Sequence, residues 1–190
     1  MFQLIKKNIL QKSNIQDHEM DRFTKMLKTE YLNKNDFFVK QGEYAKKIAF
    51  VNKGLLLAYT LNDKGNRRVA QIALDGYWTT DLFSFYSGKP SLFTIQAQED
   101  CELFVLNKSS FNDVCSSILG IEKFFRLLAE EAYVYALNRI VNAYDKNALE
   151  RYQALLQEQA NINQRVKQKD IASYLGIEPQ SLSRIINSKL

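Results

Sequence analysis

Gln180, Arg184 and Asn187 stand at helical spacing near the end of the chain, within QKDIASYLGIEPQSLSRIIN, residues 168 to 187. Residues four apart share one helix face. An Arg guanidinium can bind guanine O6 and N7 with two hydrogen bonds, and a Gln amide can do the same at adenine N6 and N7. Lys167, Gln168 and Lys169 precede the first apolar position of the same stretch. At the start of a helix, such side chains and the free backbone N–H groups can meet phosphate. This is the chemistry of reading DNA.

Other chemistries lack their residues. His18 is the only histidine, and it lies in a polar stretch, QDHEMD. Cys101 and Cys115 are the only cysteines, and they form no C-x-x-C pair. Zinc, haem and non-haem iron sites normally need imidazole or clustered thiolates. A Ser/His or Cys/His nucleophile pair cannot be built from one surface imidazole. A cupin-type metalloenzyme, with about three imidazoles around its metal, is excluded on the same count. The expectation is no enzyme, no metal and no cofactor.

The elements around residues 168 to 187 must hold that face outward. Gln168 to Leu175 reads as a first helix, with Ile171 and Leu175 buried and Ala172 small where a second helix crosses. Gly176 makes the tight turn, since a positive φ is cheap only for Gly. Ile177 plugs the core, and Pro179 suits the first turn of a helix, where its missing N–H costs nothing. Leu182 and Ile185 anchor the second helix, about 179–187, from below, so Gln180, Ser181, Arg184 and Asn187 face out. Within residues 161–190, five Lys or Arg (165, 167, 169, 184, 189) outweigh two acids (170, 178), a balance of +3.

Upstream, the texture is different. Glycines fall at 42, 54, 65, 76 and 88, with gaps of 12, 11, 11 and 12 residues, each in a turn-like setting. Between and after them lie FFVK, IAFV, LLLAYTL, RRVAQIAL, LFTIQAQ and CELFVL. Short strands at this spacing predict an antiparallel roll over residues 29–106. An amphipathic helix precedes it at 13–28, with Ser13 and Gln16 in a capping-box pattern and Ile15, Met20, Phe23 and Leu27 as its stripe. After the roll, Ser109 and Ser110 cap a short helix that Gly120 ends. Residues 121–144 then form one long helix whose apolar set covers more than half its surface. Such a helix buries two sides, and the second side predicts a two-fold dimer, the alternative being burial within one chain against the C-terminal helices. Asp145 caps the following helix, with Leu149, Tyr152, Leu155 and Leu156 inward, and residues 158–163 form a loop.

Composition agrees with a folded chain. It has 190 residues, 46% apolar and 25% charged, with a net charge of +5. The start, MFQLIKKNILQK, is too charged and too short in apolar run for a signal peptide, and no stretch of about 18 apolar residues suggests a span. A cytoplasmic protein is expected.

The order of helix, glycine-punctuated roll, long helix and helix-turn-helix resembles the catabolite-activator/FNR (CRP/FNR) family of bacterial transcription regulators. The parts that carry the likeness are FVKQGEYAKKIAFVNKGLLLAYTLNDKGNRRVAQIALDGYW and RVKQKDIASYLGIEPQSLSRI. The resemblance implies an α+β chain in three parts. Residues 1–120 would be a cyclic-nucleotide-binding-like effector domain, a jelly roll with flanking helices. Residues 121–144 would be the dimerisation helix, and residues 145–190 the DNA-binding domain. It implies operator DNA and a second copy as partners. RNA polymerase and a small-molecule effector are further partners that the family admits. The alternative function is a small-ligand receptor whose C-terminal helices bind protein.

The effector segment departs from the family. In nucleotide-binding relatives a Gly-Glu pair precedes an Arg-Ser or Arg-Ala pair by about ten residues, the Glu on the ribose and the Arg on the cyclic phosphate. Aligned on QEDCELFVL, this chain has Thr80-Asp81 and Ser91-Leu92 at those places. Ser91 cannot supply the charge-assisted fork that Arg gives a phosphate, and Lys89 is only a point charge. Cyclic AMP is therefore not the expected effector. Trp78, Thr80, Asp81, Phe83, Tyr86, Lys89, Ser91 and Leu92 are the candidate pocket, in a segment of six aromatics (Tyr77, Trp78, Phe83, Phe85, Tyr86, Phe93) that could instead fill the roll. Pro179 falls where the best-known relative has a base-reading Arg, so only Arg184 carries over well. The chain ends about three residues past Asn187, which leaves a short or missing wing as the expectation.

Overall fold

A computed structural model describes residues 1–188. Lys189, counted above among the basic residues, and the expected stub of a wing lie outside the described residues. By internal contacts the chain forms two compact units. The first holds residues 1–58 and 72–132, the second residues 59–71 and 133–190.

The first unit is built on eight strands: β1 (Lys28–Leu32), β2 (Phe37–Val39), β3 (Lys47–Lys53), β4 (Leu56–Leu61), β5 (Arg67–Ala73), β6 (Trp78–Thr79), β7 (Thr94–Ala97) and β8 (Cys101–Asn107). They form two four-stranded sheets, β1-β8-β3-β6 and β2-β7-β4-β5. Pairing in the first is antiparallel, with Phe50 opposite Phe104 between β3 and β8 and opposite Trp78 between β3 and β6. The tip of the β4–β5 hairpin, residues 59–71, belongs to the second unit.

All five expected turn glycines have positive φ. Gly54 is the demanding one. Its φ is +122°, and a Cβ there would stand 2.5 Å from the Cys101 sulfur and 2.8 Å from the Cys101 Cα. The turn between β3 and β4 therefore presses its backbone directly on β8.

The helices differ from expectation in detail. The N-terminal region forms two helices, α1 (Gln3–Leu10) and α2 (Asp17–Met26). Ile5 and Ile9 of α1 are fully buried, which puts into the core a segment read from sequence only as a flank. At α2 the Gln16 backbone N–H donates to the Glu19 carboxylate at 3.1 Å, so the capping box is Gln16/Glu19 and not Ser13/Gln16. The Ser13 hydroxyl instead donates to the Gly120 carbonyl at 2.6 Å. The stripe Ile15, Met20, Phe23 and Leu27 is buried as expected. A short helix, α3 (Leu82–Ser87), interrupts the aromatic segment.

Asn107, not a serine, caps α4 (Lys108–Ser117), accepting from the Ser110 N–H at 2.9 Å. Gly120 does not end a helix. It lies in the first turn of α5 (Leu119–Asp145), and a Cβ there would sit 3.2 Å from the Ile15 Cβ. Its bareness serves close packing. Phe124 and Phe125 from the start of α5 join Phe23, Phe50, Trp78, Phe104 and Phe111 in one aromatic core.

The second unit continues α5 and adds α6 (Ala148–Glu158), α7 (Ile162–Arg165), α8 (Gln168–Leu175) and α9 (Pro179–Asn187). Asn147, rather than Asp145, caps α6 and pairs with Glu150 in a capping box. Leu149 is half-exposed, while Tyr152 and Leu155 are buried. The expected loop at 158–163 is shorter, residues 159–161, because Glu158 ends α6 and α7 begins at Ile162. Its own core is Ile162, Val166, Ile171, Ala172, Leu175 and Leu182.

Candidate nucleic-acid interface and effector segment

The α8–α9 pair follows its sequence closely. Gly176 closes α8 in the left-handed conformation at φ +69°, and the Ile177 N–H donates to the Ala172 carbonyl at 3.0 Å. Pro179 opens α9 at its first turn. Ala172 and Leu182 are fully buried, which fixes how closely the two helices cross. Ile177 and Ile185 are only half-buried. Gln180, Arg184 and Asn187 are exposed in a row, with Pro179 exposed beside them and Ser181 half-buried at the edge. Lys167, Gln168 and Lys169 are exposed at the start of α8. Thus seven of the eight sequence-nominated residues are exposed, at the start of α8 or along α9, and Ser181 is half-buried. Asp170 in the first turn of α8 is buried, with no hydrogen-bond partner for Oδ2 among the described residues.

Residues that the sequence did not single out hold α8 in place. The Ser173 hydroxyl donates to the Arg67 carbonyl at 2.7 Å and accepts from the Val69 N–H at 3.0 Å. The Arg139 guanidinium donates to the Ala70 and Tyr174 carbonyls and stands 4.2 Å from the Tyr174 ring centroid. The Tyr135 and Tyr174 hydroxyls are 2.5 Å apart, and Tyr135 also donates to Glu158 at 3.2 Å. Burial pushes the Tyr135 phenol well above the ordinary range, with contact to Tyr174 and Glu158 adding to the effect, and burial also raises the Tyr174 phenol. Both stay neutral donors. These partners are backbone carbonyls and distant rings, which leave no signature in residue spacing.

The distal half of α5 has a second character. Tyr133, Leu137, Ile140 and Tyr144 are 66, 45, 58 and 85% exposed. Their spacing of four, three and four residues is that of a coiled-coil seam. Val134 and Val141 flank it, also exposed.

The candidate effector residues separate into three groups. Trp78 is in the core, its ring 5.0 Å from Phe125 and its indole N–H donating to the Asn8 side chain at 3.0 Å. Phe83, Tyr86, Lys89 and Leu92 are exposed. Thr80, Asp81 and Ser91 are buried. Thr80 donates to the Lys47 carbonyl at 2.9 Å. The Asp81 carboxylate accepts from the Ser91 hydroxyl at 2.8 Å and from the Leu92 and Phe93 N–H groups at 2.6 and 3.2 Å. Its other oxygen accepts from the Ser84 N–H at 3.1 Å and so caps α3. Of the six aromatics, Trp78 and Phe85 are fully buried and Phe93 is partly buried against the core. Tyr77, Phe83 and Tyr86 face outward, so the segment does not fill the roll with all its rings. The Lys108 ammonium rests over Phe85, Tyr86 and Phe111, and burial lowers its pKa.

Residues 29–117 match the family model of the cyclic nucleotide-binding domain. Among solved structures, FixK2 from Bradyrhizobium japonicum superposes with a TM-score of 0.70 at 20% identity, over 85% of this chain and 83% of that one. The c-di-GMP-responsive global regulator CLP of Xanthomonas campestris gives 0.69 at 12% identity, over 91% of each chain. A transcriptional regulator of the CRP/FNR family from Eubacterium rectale gives 0.67 at 16%, over 92% of this chain and 83% of that one. No curated protein matches the sequence. The chain therefore carries a cyclic nucleotide-binding-type domain. Its fold as a whole is that of the CRP/FNR regulators. No described helix is long and apolar enough to cross a membrane.

Proposed function

We propose that the protein is a DNA-binding transcription regulator that acts in the cytoplasm as a homodimer. The observation that carries this reading is the exposed row Gln180, Arg184 and Asn187 on α9, set over a fully buried Leu182 and beside the exposed Lys167–Lys169. A helix held from below by one buried anchor and polar above can lie in the major groove. Residues 1–120 would serve as the effector-type domain, residues 121–144 as the dimerisation helix and residues 145–190 as the DNA-binding domain. The exposed seam Tyr133, Leu137, Ile140 and Tyr144 supports the two-fold pairing. A two-fold dimer reads two half-sites about 34–36 Å apart. Once bound at a promoter, such a regulator acts on RNA polymerase.

Cyclic AMP is not the effector in this reading. Ser91 offers one hydroxyl where a phosphate needs a charged fork, and the Asp81 carboxylate already engages it. Calorimetric titration should show no micromolar binding of cyclic AMP.

The experiment is selection of bound genomic fragments, followed by titration of the recovered site at two salt concentrations. A palindromic site with steep salt dependence is expected. Arg184→Ala should lose roughly 5- to 150-fold in affinity, the worth of about 1–3 kcal/mol for one bidentate base contact. An Arg184→Ala variant that binds as tightly as wild type refutes the assignment of α9. Absence of any selected site turns the reading to a receptor whose C-terminal helices bind protein.

A further inference from the structure

The Asp81 carboxylate occupies an unusual position for a side chain that makes no ion pair among the described residues. It is buried, 2% exposed, and so is Ser91 at 3%. One oxygen, Oδ2, collects three donors from three consecutive residues: the Ser91 hydroxyl, the Leu92 N–H and the Phe93 N–H. The Ser91 hydroxyl has a second acceptor near, the Phe93 carbonyl at 2.9 Å, against 2.8 Å to the Asp81 carboxylate. Successive N–H groups converging on one point make a concave site for an anion. Here that anion is part of the chain.

The donors are fixed independently of what they hold. The Ser91 N–H donates to the Glu43 carbonyl at 2.6 Å, and the Ser91 carbonyl accepts from the Gly42 N–H at 2.9 Å. The Ser84 hydroxyl accepts from the Ala45 N–H at 2.9 Å and donates to the Lys89 carbonyl at 2.6 Å. Past the donors, the Thr94 hydroxyl accepts from the Gln41 N–H at 3.1 Å, so residues on both sides of Leu92 and Phe93 are tied to the neighbouring stretch 41–45. Removing the carboxylate would leave three oriented donors in place around a hole.

We propose that residues 91–93 form an anion-binding nest whose resident ligand is the chain's own Asp81 carboxylate. The domain is thereby held in a ligand-filled arrangement with no external anion. The nest accepts a monoanion of carboxylate size, and an external phosphate is kept out both by the filled donors and by like charge. This inference does not depend on DNA binding.

The test is chemical rescue. Asp81→Ala removes the carboxylate and leaves a gap that formate fits. Thermal melting of the full chain is followed in sodium formate and, at equal ionic strength, in sodium chloride. The Asp81→Ala protein should melt several degrees below wild type in chloride, because three buried donors lose their acceptor. Formate should restore most of that loss and saturate, while wild type should respond equally to the two salts. Equal response of Asp81→Ala to formate and chloride overturns the proposal. So does an Asp81→Ala melting temperature equal to that of wild type.

Asp81→Asn provides a second arm. The amide fills the gap but turns an N–H donor toward donors, so this variant should be destabilised and not rescued by formate. Wild-type stability in Asp81→Asn would show that no anion is needed and would overturn the proposal. If Asp81→Ala does not fold in chloride, refolding from denaturant is compared in the two salts. Recovery confined to formate supports the nest, and equal recovery in both, or none in either, counts against it.

Discussion

The seam on α5 gives the most direct quantitative prediction, through Ile140→Ala. Ile140 is 58% exposed in the protomer, and Ala is the better helix former, so the substitution leaves the single chain intact. The change removes three carbons, each worth about 0.8 kcal/mol when fully buried. Only the exposed 58% is left for a partner to cover, which reduces the loss to about 1.4 kcal/mol per copy. A two-fold axis applies the change twice, so the dimer should lose about 2.8 kcal/mol, or roughly 100-fold in dissociation constant. Sedimentation equilibrium over a dilution series reads that constant directly. Far-UV melting below the wild-type dissociation constant should change little, because the part of the side chain covered within the protomer is worth about 1 kcal/mol and the better helix propensity of Ala offsets some of it. A dissociation constant within about threefold of wild type would refute the seam as the interface, given how far that lies from the worked value. A wild-type chain that is monomeric throughout the micromolar range would refute the dimer itself.

Two further outcomes follow from positions in the first unit. Gly54→Ala combines a φ of +122° with a Cβ 2.5 Å from the Cys101 sulfur. Backbone strain and overpacking each cost about 1–3 kcal/mol, about 2–6 kcal/mol together, so at about 2–4 °C per kcal/mol melting should fall by roughly 4–24 °C, and an unchanged melting temperature would contradict the contact. At Cys115, burial first and Glu122 second push the thiol up to about 11, against a small opposing effect of Lys108. A raised folded-state pKa contributes stability that is present below the unfolded value of 9.0 and is lost as pH rises through about 11. Denaturant unfolding should therefore weaken over that interval, and Cys115→Ala should flatten the decline. Rapid alkylation of native Cys115 at pH 8 would contradict a protected thiol.

Much of the fold was legible because its signals are local. Gly42, Gly54, Gly65, Gly76 and Gly88 mark turns through their own positive φ, a property of one residue. The α8–α9 pair is legible for the same reason, with Gly176 and Pro179 punctuating an apolar pattern at helical spacing. What was misread depended on a distant neighbour. Gly120 looks like a stop, but Ile15 and Ser13, more than one hundred residues away, explain it. Asn107 and Asn147 cap helices next to Ser109 and Asp145, and residue type alone cannot choose among adjacent capping side chains. Ser173 and Arg139 act on backbone carbonyls of β5, which any residue type presents. Helix α3 is six residues of LFSFYS, too short for periodicity to separate it from a strand.

The proposed nest would redirect control by a small exchange. A ligand can shift a conformational equilibrium only by its difference in affinity for the two states. If Asp81 fills the nest in the resting chain, an external anion gains no donors by entering, and its leverage there vanishes. Control must then fall on an equilibrium that the chain leaves open. In the proposed dimer the seam Tyr133, Leu137, Ile140 and Tyr144 would be such a place, since pairing through its exposed apolar surface would depend on protomer concentration. A palindromic site needs two recognition helices at once, so occupancy of DNA would rise more steeply than in proportion to protein below the dimer dissociation constant. On this account the level of the protein itself takes the place of a diffusible signal. Asp81→Ala and Ile140→Ala should then separate cleanly. The first would acquire sensitivity to small anions with its dimer constant unchanged, and the second would shift the concentration at which DNA is filled while remaining indifferent to formate.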